Sequence, residues 1–123
     1  MNSSLNQIPV EVVAGEIDIR GDKWGDQSVR FVQLPAGADM TPLLKGLPDD
    51  LCACPHYGYV LEGSMTIRFA DGSEETTTAG EAFYWRGGHT GWTTTGAKFL
   101  EFSPAAEIAP VLAHLAPQLQ PSA

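Results

Sequence analysis

From Met65 to Phe102 the chain is written as short apolar stretches cut by glycine-bearing turns, a layout that points to antiparallel β-structure. Glu62-Gly63 closes one strand, Met65 to Phe69 alternates apolar and polar residues, and Glu74 to Thr78 is placed to return beside it. Between them Asp71-Gly72 is the strongest short hairpin signal, and it predicts a type I′ turn with positive φ at both central positions. Ala79-Gly80-Glu81 turns the chain again, Ala82 to Trp85 reads as a short strand, and Arg86-Gly87-Gly88 is a tight turn into His89. Thr90 to Thr95 and Lys98 to Phe102 follow, divided by Gly96. Upstream, Pro9 to Ile19 and Ser28 to Leu34, interrupted at Gly21-Asp22 and Gly25-Asp26, supply two or three more strands. Pro35 to Asp39 is a turn, and Thr41 to Asp50, with Pro42, Gly46 and Pro48, predicts an irregular crossing segment or a single helical turn. Short strands at this spacing suggest a sandwich or barrel.

After the strands the pattern changes. Ser103-Pro104 predicts a helix start, with Ser as N-cap and Pro at the first helical position. Ile108, Val111, Leu112, Leu115 and Leu119 then form one apolar stripe, which must cover either a barrel mouth or a partner subunit. Pro110 and Pro117 predict short or kinked pieces rather than one helix.

The chain's 123 residues make one domain (1–123), with the barrel at about 9–103 and the helical segment at about 104–119. Folding should bury roughly two-thirds of the unfolded surface, enough for a hydrophobic core without disulfide or metal. A net charge of −8 with only seven Lys and Arg, none clustered, argues against nucleic acid as a partner. Without a long apolar run or a signal-like N-terminus, the expectation is a cytoplasmic protein away from the membrane. Its two cysteines, one residue apart, are then thiols.

The chemistry concentrates in Cys52-Ala-Cys-Pro-His-Tyr-Gly-Tyr-Val-Leu-Glu-Gly63. In an extended strand Cys52, Cys54 and His56 share one face, and Tyr57, Tyr59 and Leu61 the other. His56, with Cys52 or Cys54, and His89 on a later strand are the credible metal ligands, a donor set suited to zinc or another first-row transition metal.

The segment His56-Tyr-Gly-Tyr-Val-Leu-Glu-Gly63 resembles the first motif of the cupins, and Gly80-Glu-Ala-Phe-Tyr-Trp-Arg-Gly-Gly-His89 resembles the second. The resemblance implies an all-β fold, the double-stranded β-helix or jelly-roll barrel, here with a short C-terminal helical segment, and a homodimer. It also implies departures. Counting back from Gly63, His56 holds the place of the family's Glu ligand, Cys52 that of its second His and Asp50 that of its first. Arg86 replaces a usual Pro, and His89 precedes the usual ligand position, which holds Gly91, by two residues. The family's three-His-plus-Glu site is therefore not written in this chain. The bland readings stand beside these: core histidines, buried apolar cysteines and, for Asp50, a solvated turn carboxylate.

Tyr59, Tyr84 and Trp92 are candidate pocket walls, and Arg68 is a candidate receptor for a ligand carboxylate; the alternative is that the rings are core or interface and the arginine exposed. The functional expectation is a small cupin holding a divalent transition metal (Zn, Fe, Mn or Ni) with a small polar organic molecule beside it. As an enzyme it would be a metal-dependent dioxygenase, isomerase or decarboxylase. The alternatives are a non-catalytic binding or sensing domain, or a vestigial dimerising scaffold.

Overall fold

The computed structural model describes residues 1–4, 7–14 and 16–119, with the backbone alone for 12–14. β1 (Val10–Ala14), β2 (Ile17–Trp24), β3 (Gln27–Leu34), β4 (His56–Phe69), β5 (Glu74–Thr78), β6 (Ala82–Trp85), β7 (His89–Trp92) and β8 (Ala97–Pro104) are followed by the helix α2 (Ala105–Leu119), and α1 (Thr41–Leu44) crosses between β3 and β4. The named strands pair antiparallel throughout, in the order β1-β2-β3-β8-β4. The first half of β4 lies between β8 and β6, and its second half between β5 and β7. One strand therefore belongs to both walls of a rolled-up sheet, as expected of the all-β barrel.

The corner where β4 changes partners falls at Leu61 to Gly63. Its register against β8 slips between Val60 and Glu62, and Gly63 has φ 70°. A side chain on Gly63 would collide with the Gly96 carbonyl, so glycine is required by both conformation and space. Glu62-Gly63 is thus a bulge within one 14-residue strand, not a strand end as its Gly suggested.

Three other local expectations are corrected. The Asp71-Gly72 hairpin exists, but among its loop residues only Gly72 has positive φ. Gly72 N–H donates to Phe69 O and Phe69 N–H to Ser73 O, the pattern of a three-residue loop ending in a left-handed Gly rather than a type I′ turn. Gly21-Asp22 runs through β2 without interruption, and only Gly25-Asp26 turns the chain. Pro110 and Pro117 sit inside one continuous helix of 15 residues. Both prolines and the residues four before them, Ala106 and Ala113, are exposed, so the carbonyls left without a donor face water.

The core fills the space between the walls. Val60, Ile67 and Trp85 are buried, with Trp85 stacked on Phe83 and its Nε1–H donating to Thr77 Oγ1 at 3.2 Å. The stripe on α2 (Ile108, Val111, Leu112 and Leu115) faces the barrel interior and covers its mouth. The helix is pinned at its far end, where His114 Nε2 donates to Lys45 O and Gln118 Nε2 to Leu43 O, both at 2.9 Å. His114 is therefore half-buried and bonded. No helix among the described residues is long and apolar enough to cross a membrane.

Candidate metal centre

Two backbone features bring the donors together. Cys52 lies before β4 yet pairs with His89 on β7: its N–H donates to His89 O at 2.9 Å, and its carbonyl accepts from His89 N–H at 3.1 Å and Gly88 N–H at 2.8 Å. Gly87 permits this approach, because any side chain there would strike the Ala53 carbonyl. His56, at the start of β4, faces Trp85 across the β4–β6 pairing. The β6–β7 turn and the approach to β4 thus deliver one thiol and two imidazoles to one buried spot.

Ligand atoms of Cys52, His56 and His89 all lie within 4.8 Å of one another, and all three residues are buried. Cys52 Sγ is 3.6 Å from His56 Nε2, and the two imidazole rings are 4.9 Å apart. A tetrahedral zinc site with ordinary Zn–S and Zn–N bonds separates sulfur from nitrogen by about 3.6 Å. Each imidazole is held from behind. His89 Nδ1 lies 2.7 Å from Arg86 O, which can only accept, so Nδ1 carries the proton and Nε2 presents a lone pair. His56 Nδ1 lies 2.6 Å from Ser103 Oγ, with Glu101 Oε2 at 3.9 Å. Partners of this kind on the far ring nitrogen fix a metal-ligating imidazole. Burial first, and the neighbouring His56 second, hold His89 down at about 4, so it is neutral at physiological pH. Burial pushes the Cys52 thiol up to about 11, so a thiolate there needs a cation to stabilise it. The donor set fits a divalent transition metal.

Cys54 is buried but stands outside this trio. Its thiol is pushed up to about 12 chiefly by burial and donates to Pro55 O at 3.4 Å. The shared face expected of Cys52, Cys54 and His56 does not form, because β4 begins only at His56. Asp50 is exposed, its Oδ1 accepting from Gly46 N–H.

The trio opens on a cavity of about 100 Å³ inside the barrel, walled mainly by carbon from Ile19, Val32, Leu34, Met65, Ile67 and Phe99 and flanked by α2. None of the four expected pocket residues lines it. Tyr59 and Tyr84 alternate to the outer face and are 43% and 52% exposed. Arg68, also exposed, lies over Trp92, a half-buried ring on the exterior of β7.

The polar residues that do line the cavity include two the sequence reading missed, Arg30 and Glu101, opposite one another across β3 and β8. Arg30 Nη1 is 3.3 Å from Glu101 Oε1, and Nη2 donates to Ser28 Oγ at 2.8 Å. The signal was present: Arg30 is in phase with Val32 and Leu34, and Glu101 with Ala97 and Phe99, so each is a charge in a core slot. Ser103 was read as a helix cap. It is instead the last inward-facing position of β8, fully buried against His56, and α2 begins two residues later at Ala105.

This architecture is the cupin fold. An RmlC-like cupin from Shewanella frigidimarina superposes with TM-score 0.59 at 19% identity, over 84% of this chain and 89% of that one. Oxalate decarboxylase from Bacillus subtilis, which has Mn(II) centres, matches with TM-score 0.60 at 16% identity, over 83% of this chain and 28% of the enzyme. The cupin domain of Schizosaccharomyces pombe Cnp3 matches with TM-score 0.57 at 13% identity, over 85% of this chain and 73% of that one. No protein-family model and no curated protein matches the sequence. At these identities the likeness is one of fold, and the chemistry must come from the cluster itself.

Proposed function

We propose that this protein is a single-domain cupin that holds one divalent transition metal through Cys52, His56 and His89, with a small organic ligand beside it in the barrel cavity. The observation that carries the reading is the convergence of three buried donors within 4.8 Å, with each imidazole's Nδ1 already engaged. One thiolate with two imidazoles favours zinc, iron or nickel over a hard ion such as manganese. Held by Cys52, His56 and His89, such an ion would supply Lewis-acid chemistry to a water or carbonyl group at the site. Among this chain's own residues, Ser103 and Arg86 orient the imidazoles, and α2 lines the cavity with apolar side chains. Two buried thiols without a disulfide accord with a reducing cytosol.

The test is elemental analysis of protein purified without added metal. Near one equivalent is expected in the wild type, falling to background in Cys52→Ala and His89→Ala but retained in Cys54→Ala. A folded wild type without metal would refute the reading.

A binding or sensing role is favoured over catalysis by one observation: Glu101, the one carboxylate that lines the cavity among the described residues, is already paired with Arg30. Beyond the donors themselves, the described residues of the wall then offer no free general base.

The outer face of β4, β6 and β8 carries Tyr57, Tyr59, Leu61, Tyr84 and Phe102, all exposed, with Tyr57 and Tyr84 stacked 4.7 Å apart. We propose that this face joins two copies in a homodimer. Light scattering of wild type and a Tyr57→Ser/Tyr84→Ser variant decides it, and a monomeric wild type at high concentration would refute it.

A further inference from the structure

The charged groups of the cavity wall already have their counter-charges, and that decides what the cavity can hold. Arg30, buried in the wall, spends its guanidinium within the protein: Nη1 bonds Glu101, Nη2 bonds Ser28 Oγ, and Nε faces Glu11 Oε1 at 3.4 Å. Glu11 comes close from β1 because β2 leaves room at Gly21, where any side chain would strike its carboxylate. The other polar groups of the wall are engaged as well. Thr90 Oγ1 lies 2.8 Å from Thr41 Oγ1, and Trp85 Nε1–H donates to Thr77. His56 and His89 turn their Nδ1 atoms to Ser103 and to the Arg86 carbonyl.

With a divalent ion on the Cys52 thiolate, one positive charge remains at the cluster and one on Arg30. The carboxylates of Glu101 and Glu11 match these two, so the set is balanced before any ligand enters. A charged ligand would break that balance among apolar walls, and buried charge is tolerated only when compensated. The rest of the lining is carbon, from Val32, Leu34, Met65, Ile67 and Phe99 among others. The volume of about 100 Å³ is smaller than the roughly 150 Å³ of an apolar cavity that takes up benzene, which leaves room for about four or five non-hydrogen atoms.

We infer that the ligand is an uncharged organic molecule of this size, with a carbon body against the apolar wall and a single oxygen-bearing group turned toward Cys52, His56 and His89. The inference rests on the metal reading above for the direction of that oxygen. The balanced wall excludes both carboxylates and amines, and selection comes from shape and from the cost of stripping water from a charge.

Titration of zinc-loaded protein with butanone and with propionate tests this, because the two probes share a shape and differ in a methyl group against a charged oxygen. The readout is nuclear magnetic resonance of labelled methionine methyl groups. Met40 and Met65 line the cavity, and Met1, exposed at the N-terminus, serves as the internal control. Butanone should shift the Met40 and Met65 signals but not Met1, and should bind roughly tenfold or more tighter than propionate. Glu101→Gln removes one counter-charge and should improve propionate by roughly tenfold while leaving butanone unchanged. Val32→Phe fills the space and should lose butanone binding, and Glu101→Gln decides the matter if that variant does not fold. Propionate binding as tightly as butanone in the wild type, propionate unimproved in folded Glu101→Gln, Met40 and Met65 unmoved by butanone, or butanone binding retained in folded Val32→Phe would each overturn the inference. Metal content of every sample is measured in parallel. A wild type that takes up no metal refutes the metal reading and with it the direction of the oxygen, whereas a loaded protein indifferent to charge overturns only the present inference.

Discussion

His89 ties the stability of the metal-free protein to pH in a way that can be worked out in advance. Its folded value lies at about 4 against 6.5 for a free imidazole, mainly through burial and secondarily through His56, with the Arg86 carbonyl and Glu101 opposing. Between those two values the unfolded chain binds a proton that the folded chain refuses, so folding stability falls as pH falls through this window. The difference corresponds to about 3 kcal/mol, a large fraction of a small domain's total stability. His89→Gln removes the titration while keeping a polar side chain. At pH about 7.5 the wild type should exceed the variant in stability, and by pH about 4 that gap should shrink by about 3 kcal/mol. In urea titrations of chelator-treated protein this is a convergence of midpoints by about 1–3 M. Taking the difference between the two proteins cancels the carboxylates that titrate nearby. A gap unchanged between the two pH values would refute the reasoning, because it would mean that His89 accepts its proton in the fold as readily as in water.

Three further outcomes follow from the same geometry. Ser103→Ala removes the partner of His56 Nδ1 and should weaken metal binding by about 10–100-fold in competition with a chromogenic chelator, with stability falling by about 1–3 kcal/mol. Gly63→Ala places a side chain at φ 70° against the Gly96 carbonyl, and should cost more than the roughly 1–3 kcal/mol of backbone strain alone by denaturant titration. Trp85→Ala empties the largest fully buried side chain and should cost about 3–5 kcal/mol by thermal or urea unfolding, without moving a metal ligand.

The barrel was legible because strand alternation and glycine turns are local signals, and His56 and His89 stood out because each closes or opens a motif. Less legible was anything decided by a distant partner. Gly63 reads as a strand end in isolation, and only the Gly96 carbonyl on the neighbouring segment makes it a bulge. Ser103-Pro104 has the local chemistry of a helix start, but His56, 47 residues away, claims the hydroxyl. The thiol-bearing approach was read as an extension of β4, whereas Cys52 pairs with the backbone of His89 and leaves Cys54 behind the imidazole. Arg30 and Glu101 were overlooked for a different reason: a charge in phase with core residues looks like a surface residue until the strand opposite supplies its counter-charge.

The partner exchange along β4 has a consequence for how metal and fold depend on each other. His56 hangs from the wall that β4 forms with β6 and β8, while Cys52 and His89 hang from the wall that its second half forms with β7. An ion gripped by all three would rivet one side of the hollow to the other at the end remote from the covalent corner at Gly63. Loading would then tighten the whole vessel, and amide exchange far from the cluster would slow along with it.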